Sequence, residues 1–257
     1  DGSNENQYVG VAPDADIILS SIPNYNGTYS YDDYAADLDS ARGYGAVVSN
    51  NSWGYGDSTD NNPNASYNVT EFQAFLDANP SYSTNQLYAY LTGGSTSDAS
   101  VTASQAYITA LNNFQNNGVI VFSSGNYNGE SDVGLTAGLP EFYPQLAEAW
   151  LAVGLIDFTG SSVAGADEDD FTLYGNKCGS AKEYCVVADG FEVNGAGWID
   201  GSHWYKTGGS GSSYSAPMIS GGIALLAQAF PNHTPEQLTD RLLASSNNDW
   251  FTAEGTT

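Results

Sequence analysis

Apolar runs of strand length recur along this chain, and they are unbroken rather than alternating. "GAVVSNNSWG" (Gly45–Gly54), "GVIVFSSGN" (Gly118–Asn126) and "WLAVGLID" (Trp150–Asp157) are the clearest. A strand wet on one face alternates apolar with polar residues, whereas an unbroken run needs cover on both faces. Between the runs lie segments of helical spacing. Asp32–Arg42 places Ala35, Leu38 and Arg42 on one face behind an acidic first turn, and Val101–Asn117 is amphipathic. Strand and helix in alternation predict an α/β fold, a mostly parallel sheet with helices on both faces. Further strands are expected at Asp14–Ile22 ("DADIILSSI") and Glu183–Gly190 ("EYCVVADG"). A long apolar helix is expected over Ser213–Phe230. A last one opens on "TPEQ", with Thr234 as N-cap, Pro235 at the first position and Gln237 three residues on. The polar stretch Tyr55 to about Ser100 holds one helix, "VTEFQAFLDAN", and reads as a surface insertion rather than part of the sheet. No repeat or linker divides the 257 residues, so one domain over 1–257 is expected.

Five lysines and arginines stand against 30 aspartates and glutamates, a net charge of -25. Such a surface repels nucleic acid and anionic membranes, which are bound through clustered cations. No apolar run is long enough to span a bilayer. The opening "DGSNENQYVGVAPDADI" has no secretory leader and reads as internal sequence, as expected of a mature or truncated chain. Cys178 and Cys185 are too few for a two-by-two zinc site; a short disulfide loop, and hence an oxidising compartment, is the expectation.

Ligands of open parallel sheets bind beyond the carboxyl ends of the strands. "NNSWG" and "SSGN" fall at such ends, and "GSGSSYSAP" (Gly209–Pro217) opens the long helix. A serine at a helix mouth has its hydroxyl beside unpaired backbone N–H groups and the positive end of the dipole. Ser213 is best placed for this, with Pro217 expected in the first turn, where its missing N–H costs little. Asn126, just past a strand end, can donate its amide to a developing negative charge. Taken alone, Ser213 could equally be a helix cap and Asn126 a turn residue.

The whole pattern resembles the subtilisin-like serine proteases. "GVAPDADI" is similar to the family's segment after its histidine helix, "VVSNNSWG" to the strand and loop lining the substrate cleft, and "GVIVFSSGN" to the strand bearing the oxyanion asparagine. "GSSYSAPMISGG" is similar to the nucleophile motif G-T-S-x-A-x-P. The departures are Ser212 for threonine, Ser215 for alanine, Met218 where histidine often stands, and Asp189 for the proline of "APG". None removes a reacting group. "YPQLAEAWLAVGLID", "GNKCGSAKEYCVVADG" and "FPNHTPEQLTDRLL" are similar to a bacterial subgroup whose members are often passengers of outer-membrane autotransporters.

The resemblance implies a three-layer sandwich and a secreted or cell-surface endopeptidase. Ser213 would be the nucleophile and Asn126 the oxyanion donor. Ser52, Trp53 and Gly54 would face Ser123, Ser124 and Gly125 across the pocket for the side chain before the scissile bond, and Gly27 would lie on the substrate-pairing edge. No cofactor is implied. The acidic "GADEDD" (Gly165–Asp170) reads either as a structural calcium ligand or as a solvated turn; it lacks the glycine and spaced ligands of a defined calcium loop. The family's catalytic aspartate and histidine precede the "GVAP" segment. His203 ("GSHWYK") and His233 ("PNHT") read as packing or surface residues rather than bases. An N-terminal polypeptide carrying the histidine and aspartate is thus the expected partner besides a peptide substrate. The other reading is a non-catalytic scaffold serving as a surface adhesin or structural module.

Overall fold

The computed structural model describes residues 10–20, 30–55, 67–159, 170–199 and 202–246, with the backbone alone for 196–199 and 202–207. Strands β1 (Val48–Asn51), β2 (Val119–Ser123), β3 (Trp150–Phe158) and β5 (Cys185–Asp189) lie parallel in that order; β4 (Phe171–Tyr174) runs antiparallel along the far half of β3. The register sets Asn50 beside Val121, Val121 beside Leu151 and Ala152 beside Cys185. Helices α1 (Tyr31–Gly43), α2 (Val69–Ala78), α3 (Thr84–Gly93) and α4 (Asp98–Phe114) cover one face, and α5 (Ser212–Ala229) and α6 (Pro235–Ser245) the other. This is the three-layer α/β arrangement expected from the unbroken strands.

β2 explains why those runs do not alternate. Ile120 and Phe122 pack with Leu111, Phe114 and Trp150 under α1–α4. Val119 and Val121 pack with Leu151, Val153, Ile223 and Leu238 under α5 and α6. Each residue of the strand is buried, but successive ones enter different cores. Phe122 stacks on Trp150 at 5.1 Å, and the Trp150 indole donates to the Ala137 carbonyl at 2.8 Å. A buried indole needs that partner.

Several elements differ from expectation. The described part of Asp14–Ile22 forms no strand, and Ile17 and Leu19 are 79% and 88% exposed. Pairing decides this: β1 is the sheet's edge among the described residues, and residues 14–20 pair with no described strand. That segment passes around the edge. Val11 lies against Gly221 of α5 on one face, and the Ser20 hydroxyl bonds the Asp37 carboxylate of α1 on the other. Edge position also leaves β1 half-buried rather than buried. The 55–100 segment adds two helices, α2 and α3, and no strand among the described residues. Phe72 and Tyr88 are fully buried, so these helices share the main core. β4 and the hairpin β6 (Val193–Ile199)–β7 (Ser202–Gly209) are strands beyond those expected. Asp200-Gly201 between the two hairpin strands is the sequence signal for the hairpin. Cys178 and Cys185 form a disulfide across the 3₁₀ turn Gly179–Tyr184.

Candidate active site

The carboxyl ends of β1 and β2 meet the start of α5. Helix α5 begins at Ser212, so Pro217 sits inside it rather than in the first turn as expected. A proline there withholds the N–H that would bond the carbonyl four residues back. That carbonyl belongs to Ser213, and the Ser52 hydroxyl takes the vacant place, donating to it at 3.1 Å. In return the half-buried Ser213 hydroxyl donates to the Ser52 carbonyl at 3.4 Å. Asn50 supports this clasp. Its Nδ2 donates to the Ser52 hydroxyl at 3.1 Å, and its Oδ1 lies 3.0 Å from the Ser220 hydroxyl two turns down α5.

Asn126 follows β2 and is exposed. Its Oδ1 accepts from the Ser212 backbone N–H at 2.8 Å and sits 2.9 Å from the Ser212 hydroxyl. The fully buried Ser212 hydroxyl is also 3.1 Å from the Gly125 carbonyl and 3.2 Å from its N–H. With the acceptor end held in this way, Nδ2 is the end of the amide left to donate. Helix geometry gives the Ser213 N–H no intrahelical acceptor. The Asn126 amide, held on Ser212, and the Ser213 N–H are donors of the kind that stabilise an oxyanion, and both lie at the start of α5. Ser212 enters the sequence comparison only as a departure from threonine; the structure makes its hydroxyl and N–H the anchor of Asn126.

The remaining expected residues lie at the same strand ends. Ser123 and Ser124 are buried, and Ser124 turns its hydroxyl away to the Asn176 carbonyl at 3.1 Å. Backbone, rather than these hydroxyls, is what this wall offers a ligand. Gly54 abuts Thr136, whose hydroxyl donates to the Trp53 carbonyl at 3.4 Å. Trp53 stacks on Tyr34 at 4.8 Å and meets Tyr55 and Phe122 edge-on at 5.6 and 5.5 Å, while its indole donates to Asn51 Oδ1 at 3.3 Å. Behind it burial pushes the hydroxyls of Tyr31, Tyr55, Tyr88 and Tyr107 well above the ordinary tyrosine range, and Tyr34 upward too. Gly27 lies outside the described residues, as do positions 165–169 of the acidic stretch. Among the described residues no group of three acidic, histidine or cysteine side chains is placed to hold a metal ion.

No described histidine side chain bonds Ser213. The His233 ring lies 5.0 Å from that of Phe230, with Nε2 3.5 Å from the Arg241 guanidinium, on the α6 side. His203 is on β7, described by its backbone alone. The site brings together a serine and two candidate oxyanion donors at the ends of β1 and β2.

Known proteins are similar to this chain over long stretches. An extracellular serine protease of Serratia marcescens is 25% identical over 255 residues, 90% of this chain and 23% of that protein. Serotype-specific antigen 1 of Mannheimia haemolytica is 30% identical over 146 residues, 55% of this chain and 14% of that protein. The chain thus spans less than a quarter of the length of these curated relatives. The solved patellamide maturation protease PatA superposes with a TM-score of 0.56 at 19% identity, covering 95% of this chain and 69% of that one, which shows a shared fold. A family profile described as "Subtilase family" matches residues 1–256, and with the fold and the Ser213–Asn126 arrangement already in place, this chain belongs to the subtilase family.

Proposed function

We propose that this chain is the nucleophile-bearing part of an exported bacterial serine endopeptidase. The Ser213 hydroxyl attacks the scissile carbonyl while its proton passes to a histidine that an aspartate orients. The oxyanion is held by Asn126 Nδ2 and the Ser213 N–H. The histidine returns the proton to the leaving amine, and water then hydrolyses the acyl-enzyme on Ser213. The observation that carries this reading is the fixed orientation of Asn126, whose carbonyl end is bound by Ser212 so that its donor end serves the reaction. The substrate is a peptide or protein lying between Ser52–Gly54 and Ser123–Gly125. No cofactor takes part in the chemistry, and a calcium ion on Gly165–Asp170 would serve structure alone.

The histidine and aspartate come from a second polypeptide segment that pairs with the open edge of β1. Two observations support this. β1 has one unpaired side among the described residues, and the 14–20 segment exposes Ile17 and Leu19. Unpaired edges and exposed apolar side chains are what an added strand covers. The disulfide and the extracellular relative support export. A non-catalytic surface module is the second reading, favoured by the relative named as an antigen and by a Ser213 without a described base.

A fluorophosphonate, which labels only an activated serine, separates the readings. Ser213 should be labelled when a polypeptide with the family's histidine and aspartate motifs is added, and not in the chain alone. Labelling of the isolated chain would refute the need for a partner. No labelling with the partner bound would leave the surface module.

A further inference from the structure

We propose that Asn176 is the positioning residue for Asn126, fixing the backbone on both sides of the oxyanion donor. The inference rests on the proposed function of Asn126.

Asn176 is 2% exposed, and both ends of its side chain and of its backbone are used. Its Oδ1 accepts from the Tyr127 N–H at 3.0 Å, one residue after Asn126. Its own N–H donates to the Gly125 carbonyl at 3.2 Å, one residue before. Its carbonyl accepts from the Ser124 hydroxyl at 3.1 Å, and its Nδ2 donates to the Asp132 carbonyl at 3.0 Å. One buried residue thus reaches 124 and 125 through its backbone and 127 through its side chain, and the side chain ties them to the loop at 132.

Two glycines permit the approach. Gly125 has φ +120, and a Cβ there would sit 2.4 Å from Asn176 Oδ1. Gly175 has φ +68, and its Cβ would sit 2.5 Å from the Gly125 carbonyl oxygen. Asn128 closes the same junction by accepting from the Gly175 N–H at 2.6 Å. The far end is pinned as well. Asp132 accepts from the Ser180 N–H and hydroxyl at 2.8 and 3.0 Å, and the disulfide holds residue 178 to the start of β5.

Asn126 is therefore clamped twice. Ser212 sets the direction of its amide, and Asn176 sets the position of its backbone. An oxyanion donor acts only when pre-placed where charge develops, and a misplacement of about 1 Å costs about 10²-fold in rate. Truncating Asn176 leaves its backbone bonds to Ser124 and Gly125 in place and removes the side-chain bond beside Asn126, so it should lower kcat and leave KM nearly unchanged.

The test uses the full chain with a histidine- and aspartate-bearing partner, in wild type, Asn126→Ala, Asn176→Ala and the double variant. Asn176→Asp, which keeps the acceptor for Tyr127, serves if Asn176→Ala does not fold. Nitrogen-15 relaxation of the Asn126 side-chain amide is measured first, on the chain without partner. It should be ordered in wild type, mobile in Asn176→Ala and intermediate in Asn176→Asp. In the assay, Asn176→Ala should lose about 10²-fold in kcat, and the double variant should lose no more than Asn126→Ala alone. An Asn126 amide as ordered in either Asn176 variant as in wild type, or losses that multiply in the double variant, would overturn the proposal. An unreactive wild type in a partner complex shown to form would instead overturn the proposed function, while the relaxation result still decides the positioning role.

Discussion

Pro217 deprives α5 of one backbone hydrogen bond, and the replacement comes from another element, the Ser52 hydroxyl on the Ser213 carbonyl. Ser52→Ala should therefore lower stability by about 1 kcal/mol, the net worth of one such hydrogen bond; the denaturation midpoint measures it, and a change below a few tenths would mean water takes over. Asn126→Ala belongs to the chemistry instead. With the base-bearing segment present, kcat should fall about 10²–10³-fold with little change in KM, as for removal of one oxyanion donor, read from steady-state rates on a peptide substrate. Ser213 and Asn126 are legible in the sequence because each ends a local pattern, a glycine-serine helix mouth and a buried strand. The roles of Ser52, Ser212 and Asn176 are not. Each is defined by a partner dozens of residues away, and nothing in "GNKC" marks Asn176 as the residue that reaches Gly125 and Tyr127.

Elements whose signals are local come out as expected, and those that depend on a neighbour do not. Helix α6 carries its own boundary: Thr234 accepts from the Gln237 N–H, the Gln237 side chain accepts from the Thr234 N–H, and Pro235 occupies the first position. β2 and β3 are long apolar runs that can only be interior strands. The 14–20 run has the same apolar character but no paired neighbour, so composition alone cannot make it a strand. The 55–100 segment shows the converse, since its polar loops conceal the buried faces of α2 and α3. The disulfide is an element-scale constraint with a modest effect. Closing so short a loop stabilises by about 2–3 kcal/mol through the unfolded chain. Reduction should lower the urea midpoint accordingly and leave far-ultraviolet dichroism at low urea unchanged; an unaltered midpoint would mean the 176–185 loop is held by its hydrogen bonds alone.

At the scale of the whole molecule, the α1–α4 core is built around a tyrosine cluster. The Tyr31 ring centre lies 5.8 Å from that of Tyr88 and 5.6 Å from that of Tyr107, and Tyr34 and Tyr55 border them. Burial raises each hydroxyl's pKa in the folded state. The unfolded chain, with ordinary values near about 10, therefore loses protons first as the solution becomes alkaline. The stabilisation is complete below that value and is lost as pH rises above it. Melting temperature should fall steadily from about pH 10 upward, and the phenolate absorbance of the buried rings should appear only together with unfolding. Early titration at constant fold would show that water reaches the cluster. The odd and even positions of β2 feed different cores, and its last residue leads within three positions to Asn126. Adding or deleting one codon within β2 would send every strand residue beyond the change into the other core, and one anywhere within 119–126 would shift the amide along the chain by about 3.3 Å. The segment is length-locked, so natural variation here should be confined to substitution, with insertions and deletions collecting elsewhere in the gene.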